Sequence, residues 1–183
     1  VENYLLAATV VRCHFDGETL EYVEHGTELH HDVPRGFAEP SLATFGGRYF
    51  LTLRNDQAGW VTSGPDGLTF EPPRPWAFDD GEPLGNYNTQ QHWVTHSDGL
   101  YLVYTRRGLD NEQIIGPERG ARLGNFGVAD VSADQTWIVV AEWMQTGPPD
   151  ARDFKKIEGY GANNTVWCAR IYWDERNRLA PGA

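Results

Sequence analysis

Apolar and polar residues alternate along this chain in short runs of strand length, and no stretch carries the period of an amphipathic helix. The runs come in pairs around turn-forming residues. "NYLLAATVVRCHF" (Asn3–Phe15) and "ETLEYVEHG" (Glu18–Gly26) flank Asp16-Gly17, and "EPSLATF" and "RYFLTLRN" flank Gly46-Gly47. "GWVTSG" and "LTFEPP" flank Pro65-Asp66-Gly67, and "QHWVTHS" and "LYLVYTRR" flank Asp98-Gly99. "NFGVADV" and "TWIVVAEWM" flank a turn at Ser132–Gln135, and "NTVWCARIYWD" (Asn164–Asp174) reads as one more strand. The polar connectors His30–Gly36, Pro72–Thr89, Arg107–Gly124 and Thr146–Ala162 are rich in Gly and Pro and read as loops.

Three of these hairpins share one design: polar residues at the open end, apolar residues toward the turn. Counting outward from each turn predicts the facing pairs. If Phe45 faces Arg48, Glu39 faces Arg54. The Asp98-Gly99 turn puts Gln91 opposite Arg106 and Gln90 opposite Arg107, and the third hairpin puts Asn125 opposite Glu142. Wet strand ends collect polar residues without any function. Three polar pairs at matching ends also describe a β-propeller, whose innermost strands carry a shared site at one end of a central channel.

The spacing fits an incomplete ring. From Glu39 to Gln91 is 52 positions, enough for a four-stranded blade, whereas Gln91 to Asn125 is 34, room for two strands and a loop. The expected architecture is an all-β, partial β-propeller. It has outer strands of a preceding blade at 1–26, a complete blade at 37–72, an incomplete one at 88–107 and a further one at 124–174.

Composition agrees with strands. Of 183 residues 40% are apolar, with seven Trp, eight Tyr, eight Phe, 20 Gly and 11 Pro. The net charge of −11 argues against a nucleic-acid partner. No run approaches the ~20 apolar residues of a membrane-spanning helix, and no signal peptide is visible. Strand-like sequence already at Tyr4 carries the expectation that the true N-terminus lies upstream. Cys13 and Cys168 are too few for a disulfide framework or a zinc site, and read as two thiols or a single pair.

Two stretches carry a resemblance. "AEPSLATFGGRYFLTLRND" (Ala38–Asp56) resembles the acidic-Pro-Ser strand and Gly-Arg-Tyr turn of propeller glycoside hydrolases. "SGPDGLTF" (Ser63–Phe70) resembles the Asp-box of sialidases: Ser63, Gly67, Thr69 and Phe70 fit, Pro65 stands at the acidic position and Asp66 is displaced by one. From Gly36 to Trp173 the chain is similar to bacterial sialidase-like propellers, in which an outer hairpin lies between the equivalents of Ile114 and Pro117. The resemblance implies a glycoside hydrolase without a cofactor, acting on a carbohydrate. Sialidases use a Tyr nucleophile with an assisting carboxylate, an Asp acid/base and three Arg gripping the substrate carboxylate. A glycan-degrading enzyme of this kind is expected to be secreted or periplasmic.

Glycoside cleavage generally needs two carboxyl groups across the scissile bond. Glu39, Asp56 and Glu142 are the candidates, Glu142 being a carboxylate within an apolar strand that could instead pair with Arg122 or face outward. Arg54, Arg106, Arg107, Arg119 and Arg122 offer planar forks for an anionic group, or structural ion pairs such as Glu39–Arg54. Gln90, Gln91, His92 and Asn125 suit sugar hydroxyls, with Trp93 as a stacking surface. Tyr87 and Tyr160 are loop tyrosines without a nucleophile motif. "HHD" (His30–Asp32) and "FDDGE" (Phe78–Glu82) are weak metal signals, and "NNT" (Asn163–Thr165) is a short glycosylation match. No metal or cofactor is expected. The competing readings are a sialidase-like hydrolase, a non-catalytic propeller binding sugar or protein, and an inactive fragment that self-associates through open strand edges.

Overall fold

The computed structural model describes residues 5–33, 35–85, 90–104, 125–132, 135–141 and 166–173. The chain is all-β, with no helix among these residues. It forms two compact units, Val1–Gln113 and Ile114–Ala183.

The centre of the first unit is a four-stranded antiparallel sheet in sequence order: β5 (Ala38–Phe45), β6 (Arg48–Arg54), β7 (Gly59–Gly64) and β8 (Arg74–Pro75). Gly46 and Gly47 turn β5 into β6 with φ of 56° and 75°, a conformation that costs glycine little. The two faces of β6 have different neighbours. Leu51 and Leu53 join Ala8, Leu29, Phe37 and Phe70 in the core, with Tyr49 packed against it. Phe50 and Thr52 face β9 (His92–His96): Phe50 meets the Trp93 ring, and Thr52 Oγ1 donates to the Gln91 carbonyl at 3.2 Å. The two-residue period of a strand therefore builds two packing layers from one segment.

Ahead of this sheet, β1 (Leu5–Leu6) pairs in parallel with β4 (Arg35–Gly36), and β2 (Val11–Phe15) pairs with β3 (Leu20–His25). The single strand expected over Asn3–Phe15 is thus divided, and Ala8 bridges to Leu29 between its halves. β9 pairs with β10 (Gly99–Val103) as a separate two-stranded sheet. In the second unit β11 (Asn125–Ser132), β12 (Gln135–Ala141) and β13 (Val166–Tyr172) form an antiparallel meander. On it the Arg170 guanidinium lies over the Tyr172 ring, 3.8 Å from its centre.

All three predicted registers shift. The β5–β6 count holds from Phe45–Arg48 to Ser41–Thr52, then slips by one at Glu39-Pro40, so Ala38 rather than Glu39 faces Arg54. Pro40 has no N–H for the ladder, and a bulge absorbs it. β9–β10 turns at Ser97-Asp98 and pairs His96 with Gly99, two positions from the expected count. That register puts Val103 opposite His92, and the expected partners Arg106 and Arg107 lie outside the described residues. β11–β12 slips between Asp130 and Ser132, which pairs Asn125 with Ala141 instead of Glu142.

The strand expected at "LTFEPP" is also displaced. The ladder partner of β7 on the side away from β6 is Arg74–Pro75; from the expected strand the Glu71 N–H donates to the Ser63 carbonyl at 3.0 Å, and Pro72 and Pro73 carry no N–H to continue the ladder. Leu68–Phe70 instead docks on Thr27: the Thr27 N–H donates to the Leu68 carbonyl at 2.7 Å, and the Phe70 N–H to Thr27 Oγ1 at 3.2 Å. The displaced Asp66 caps this turn, accepting from the N–H groups of Thr69 at 2.7 Å and Leu68 at 3.0 Å. Cys13 and Cys168 are free thiols.

Candidate functional site

Polar side chains gather at the end of the four-stranded sheet opposite the Gly46-Gly47 turn. Arg54 closes β6 and is 9% exposed. Its Nη1 donates to Glu39 Oε2 at 2.7 Å, and its Nη2 lies 3.5 Å from Asp56 Oδ1. The same Asp56 oxygen accepts from Arg35 Nη1 at 3.2 Å. Four charges thus form one chain: Glu39, Arg54, Asp56 and Arg35.

Local backbone holds this chain in place. Glu39 and Arg35 have left-handed φ values of 46° and 68°, and are the non-glycine residues that do so among the described residues. Each such conformation costs on the order of 1–3 kcal/mol. Asn55, 1% exposed, fixes the turn between Arg54 and Asp56. Its Nδ2 donates to the Gly36 carbonyl at 2.8 Å and its Oδ1 accepts from the Gln57 N–H at 3.0 Å. The Arg35-Gly36 strand and the Arg54–Asp56 corner are therefore tied directly together.

A second layer comes from β9 and the residue before it. Gly59 faces Arg54 in the β6–β7 register, and a Cβ there would lie 2.9 Å from Gln91 Nε2. The Gln91 side chain, 1% exposed, fills the gap that glycine leaves. Gly59 is also tied to Trp76, whose backbone N–H donates to the Gly59 carbonyl at 2.9 Å. Half-buried Trp76 meets Trp93 with ring centres 4.9 Å apart. Across this end run Arg54, the Gln91 amide and the indole pair. Arg54 Nε and Trp93 Nε1 are buried donors without a partner among the described residues. Leaving each unpaired costs about 1–3 kcal/mol, which marks this end as polar beyond what folding needs.

His92 is close enough to feel Glu39. Burial pushes its imidazole below the ordinary histidine value, and the Glu39 carboxylate opposes the shift. Gln90 stands half-buried just ahead of β9.

The structure therefore brings together Glu39, Arg54, Asp56, Gln91 and His92 from the sequence-derived candidates. Arg106, Arg107, Arg119, Arg122, Glu142, Tyr87 and Tyr160 lie outside the described residues, as does the side chain of Asn125. Sequence reading missed Arg35, Asn55, Gly59 and Trp76. Only Trp76 carried a visible signal, an aromatic residue inside the proline-rich connector Pro72–Thr89. Of the weak metal signals, His31 stacks on Phe37 at 5.2 Å and meets Trp60 at a tilt with centroids 4.4 Å apart, and "FDDGE" is a tight turn in which Asp80 Oδ1 accepts from the Glu82 N–H at 3.0 Å. Comparison of the chain with protein-family models, with curated proteins and with solved structures found no match.

Proposed function

We propose that the chain is part of a sialidase-like propeller glycoside hydrolase, with its site at the Glu39–Arg54–Asp56 end of the four-stranded sheet. The observation that carries this reading is one buried guanidinium holding two partly exposed carboxylates. Contacts of 2.7 and 3.5 Å from a single fork keep Glu39 and Asp56 within the ~9.5 Å upper separation of glycosidase carboxyl pairs. In that chemistry one carboxylic acid protonates the leaving glycosidic oxygen. The other carboxylate attacks the sugar carbon or takes a proton from the attacking water. The sequence-order meander β5–β8, with the β9–β10 hairpin packed across it, supports blades of a propeller.

A second reading, sugar binding without cleavage, is favoured by the tightness of the Glu39–Arg54 pair, which holds Glu39 as an acceptor already engaged. The test is release of 4-nitrophenol from a panel of aryl glycosides, sialosides included. Hydrolysis that falls at least about a hundredfold in both Glu39→Gln and Asp56→Asn supports the enzyme. Turnover unchanged in both variants rules these residues out. Binding of glycosides without any turnover selects the second reading.

A further inference from the structure

The turn that closes the β2–β3 hairpin repeats the one at Asp66. "DGETLE" (Asp16–Glu21) and "DGLTFE" (Asp66–Glu71) share Asp, Gly, Thr and Glu, 50 positions apart. Their geometry repeats as well. Asp16 Oδ1 accepts from the N–H groups of Thr19 at 2.8 Å and Glu18 at 2.9 Å, as Asp66 Oδ1 does from Thr69 and Leu68. Gly17 and Gly67 both have left-handed φ, 107° and 76°. Beyond each turn the ladder keeps one count: Cys13 faces Tyr22 and His14 faces Glu21, while Val61 faces Arg74 and Trp60 faces Pro75. β2 is therefore the counterpart of β7.

The two hairpins differ in what covers them. One edge of β7 carries β6, with Tyr49 opposite Gly64, Leu51 opposite Thr62 and Thr52 opposite Val61. Among the described residues β2 pairs only with β3. Val61 and Phe70 are each 7% exposed, whereas their counterparts Val11 and Leu20 are 48% and 67% exposed. Two contacts of β6 are specific. The Tyr49 ring lies against Gly67, where a Cβ would stand 2.9 Å from it, while the same point on Gly17 has nothing within 4 Å. Arg48 Nη2 donates to Glu71 Oε1 at 2.8 Å, while the counterpart Glu21 is exposed and meets no cation among the described residues.

We propose that the free edge of β2 is a docking site for an extended strand of another polypeptide, one that carries Arg or Lys, then an aromatic residue, then further apolar residues. The strand pairs with β2 as β6 pairs with β7. Its cation meets Glu21, its ring covers Gly17, and its apolar residues cover Val11 and Leu20. A second copy of this chain fits the edge less well. Its own basic-aromatic strand, β6, is enclosed by β5 and β7, and the Arg12 on its β2 is already paired with Glu24.

The test combines the whole chain with a fluorescein-labelled peptide copying Gly46–Asn55, GGRYFLTLRN. Fluorescence anisotropy and amide hydrogen exchange give the readout. Saturable binding is expected, with slowed exchange along Val11–Phe15. The Arg48→Glu peptide should bind about fivefold more weakly, and Glu21→Lys in the chain should weaken the original peptide by a similar factor. Together the two reversals should restore binding to within about threefold of the original pair. The Tyr49→Ala peptide should lose about tenfold. Thermal melts check that Glu21→Lys folds, and the peptide variants carry the test if it does not. Absence of saturable binding overturns the proposal, and so does binding that protects β7 instead of β2 or that ignores these charges. A dimer of the chain that protects β2 and that excess peptide does not dissolve makes a second copy the occupant and overturns the partner strand.

Discussion

The amide of Gln91 occupies the space that a side chain at position 59 would fill. A Cβ on Gly59 would stand 2.9 Å from Gln91 Nε2 and 3.0 Å from Oε1. The glycine is required by close approach and not by backbone angle. Gly59→Ala should therefore displace a fully buried amide beside Arg54 and cost about 1–3 kcal/mol. Urea denaturation checks this, and an unchanged midpoint would show that the pocket has slack.

Arg54 holds more of the site than either acid does. Its side chain is 10% exposed, whereas those of Glu39 and Asp56 are 48% and 33% exposed. Arg54→Met removes both links and leaves two carboxylates that water still reaches. Glu39→Gln removes one link and keeps a neutral acceptor of the same shape. The expected costs are about 2–3 kcal/mol for Arg54→Met and below about 1 kcal/mol for Glu39→Gln. Equal melting shifts in the two variants would contradict this order.

The β2–β3, β5–β6 and β11–β12 hairpins were legible in the sequence because alternation and Gly-rich turns are local signals, whereas the β9–β10 turn sits one position before the expected Asp98-Gly99 and the partner of β7 is Arg74–Pro75 rather than "LTFEPP". The pairing of the hairpins' far ends was not legible. A single prolyl residue, Pro40, slips the β5–β6 register by one, yet the long Glu39 side chain still reaches Arg54. The pair was thus anticipated for a facing geometry that does not exist. Arg35 was invisible because it meets Asp56 through a parallel β1–β4 pairing, which no local pattern announces. Gly59 and Trp76 matter only because β9 lies across the sheet, and that is a tertiary fact.

The turn at Pro65–Thr69 makes a prediction about acid. The Thr69 N–H, then the Leu68 N–H, lower the Asp66 pKa from its ordinary value. A carboxylate depressed in the folded state contributes stability that is fully present above the unfolded pKa of about 3.9. That contribution is lost as pH falls through the lower, folded value. Asp66→Ala should melt below the parent at pH 6, and the gap should narrow steadily as pH falls below about 4. A gap that stays constant down to pH 2.5 would mean that the side chain's shape, and not its charge, holds the turn.

Exposed apolar residues gather on the β2–β3 hairpin. Phe15 and Leu20 face one another beside its turn and are 62% and 67% exposed. Cys13 and Tyr22 are the next pair but one, on the same face, and Tyr22 is 59% exposed. β2 and β3 pair only with each other among the described residues, so an apolar face and open strand edges coincide. Such a combination favours strand addition and association. Replacing Phe15 and Leu20 by Thr keeps β-propensity and removes apolar surface that the fold does not bury. A cross-strand pair contributes about 0.2–1 kcal/mol, so the melting temperature should fall little while the concentration at which light scattering sets in rises. Cys13→Ser in the same background separates thiol oxidation from apolar contact. If the double Thr variant scatters light from the same concentration as the parent, the hairpin face does not drive association.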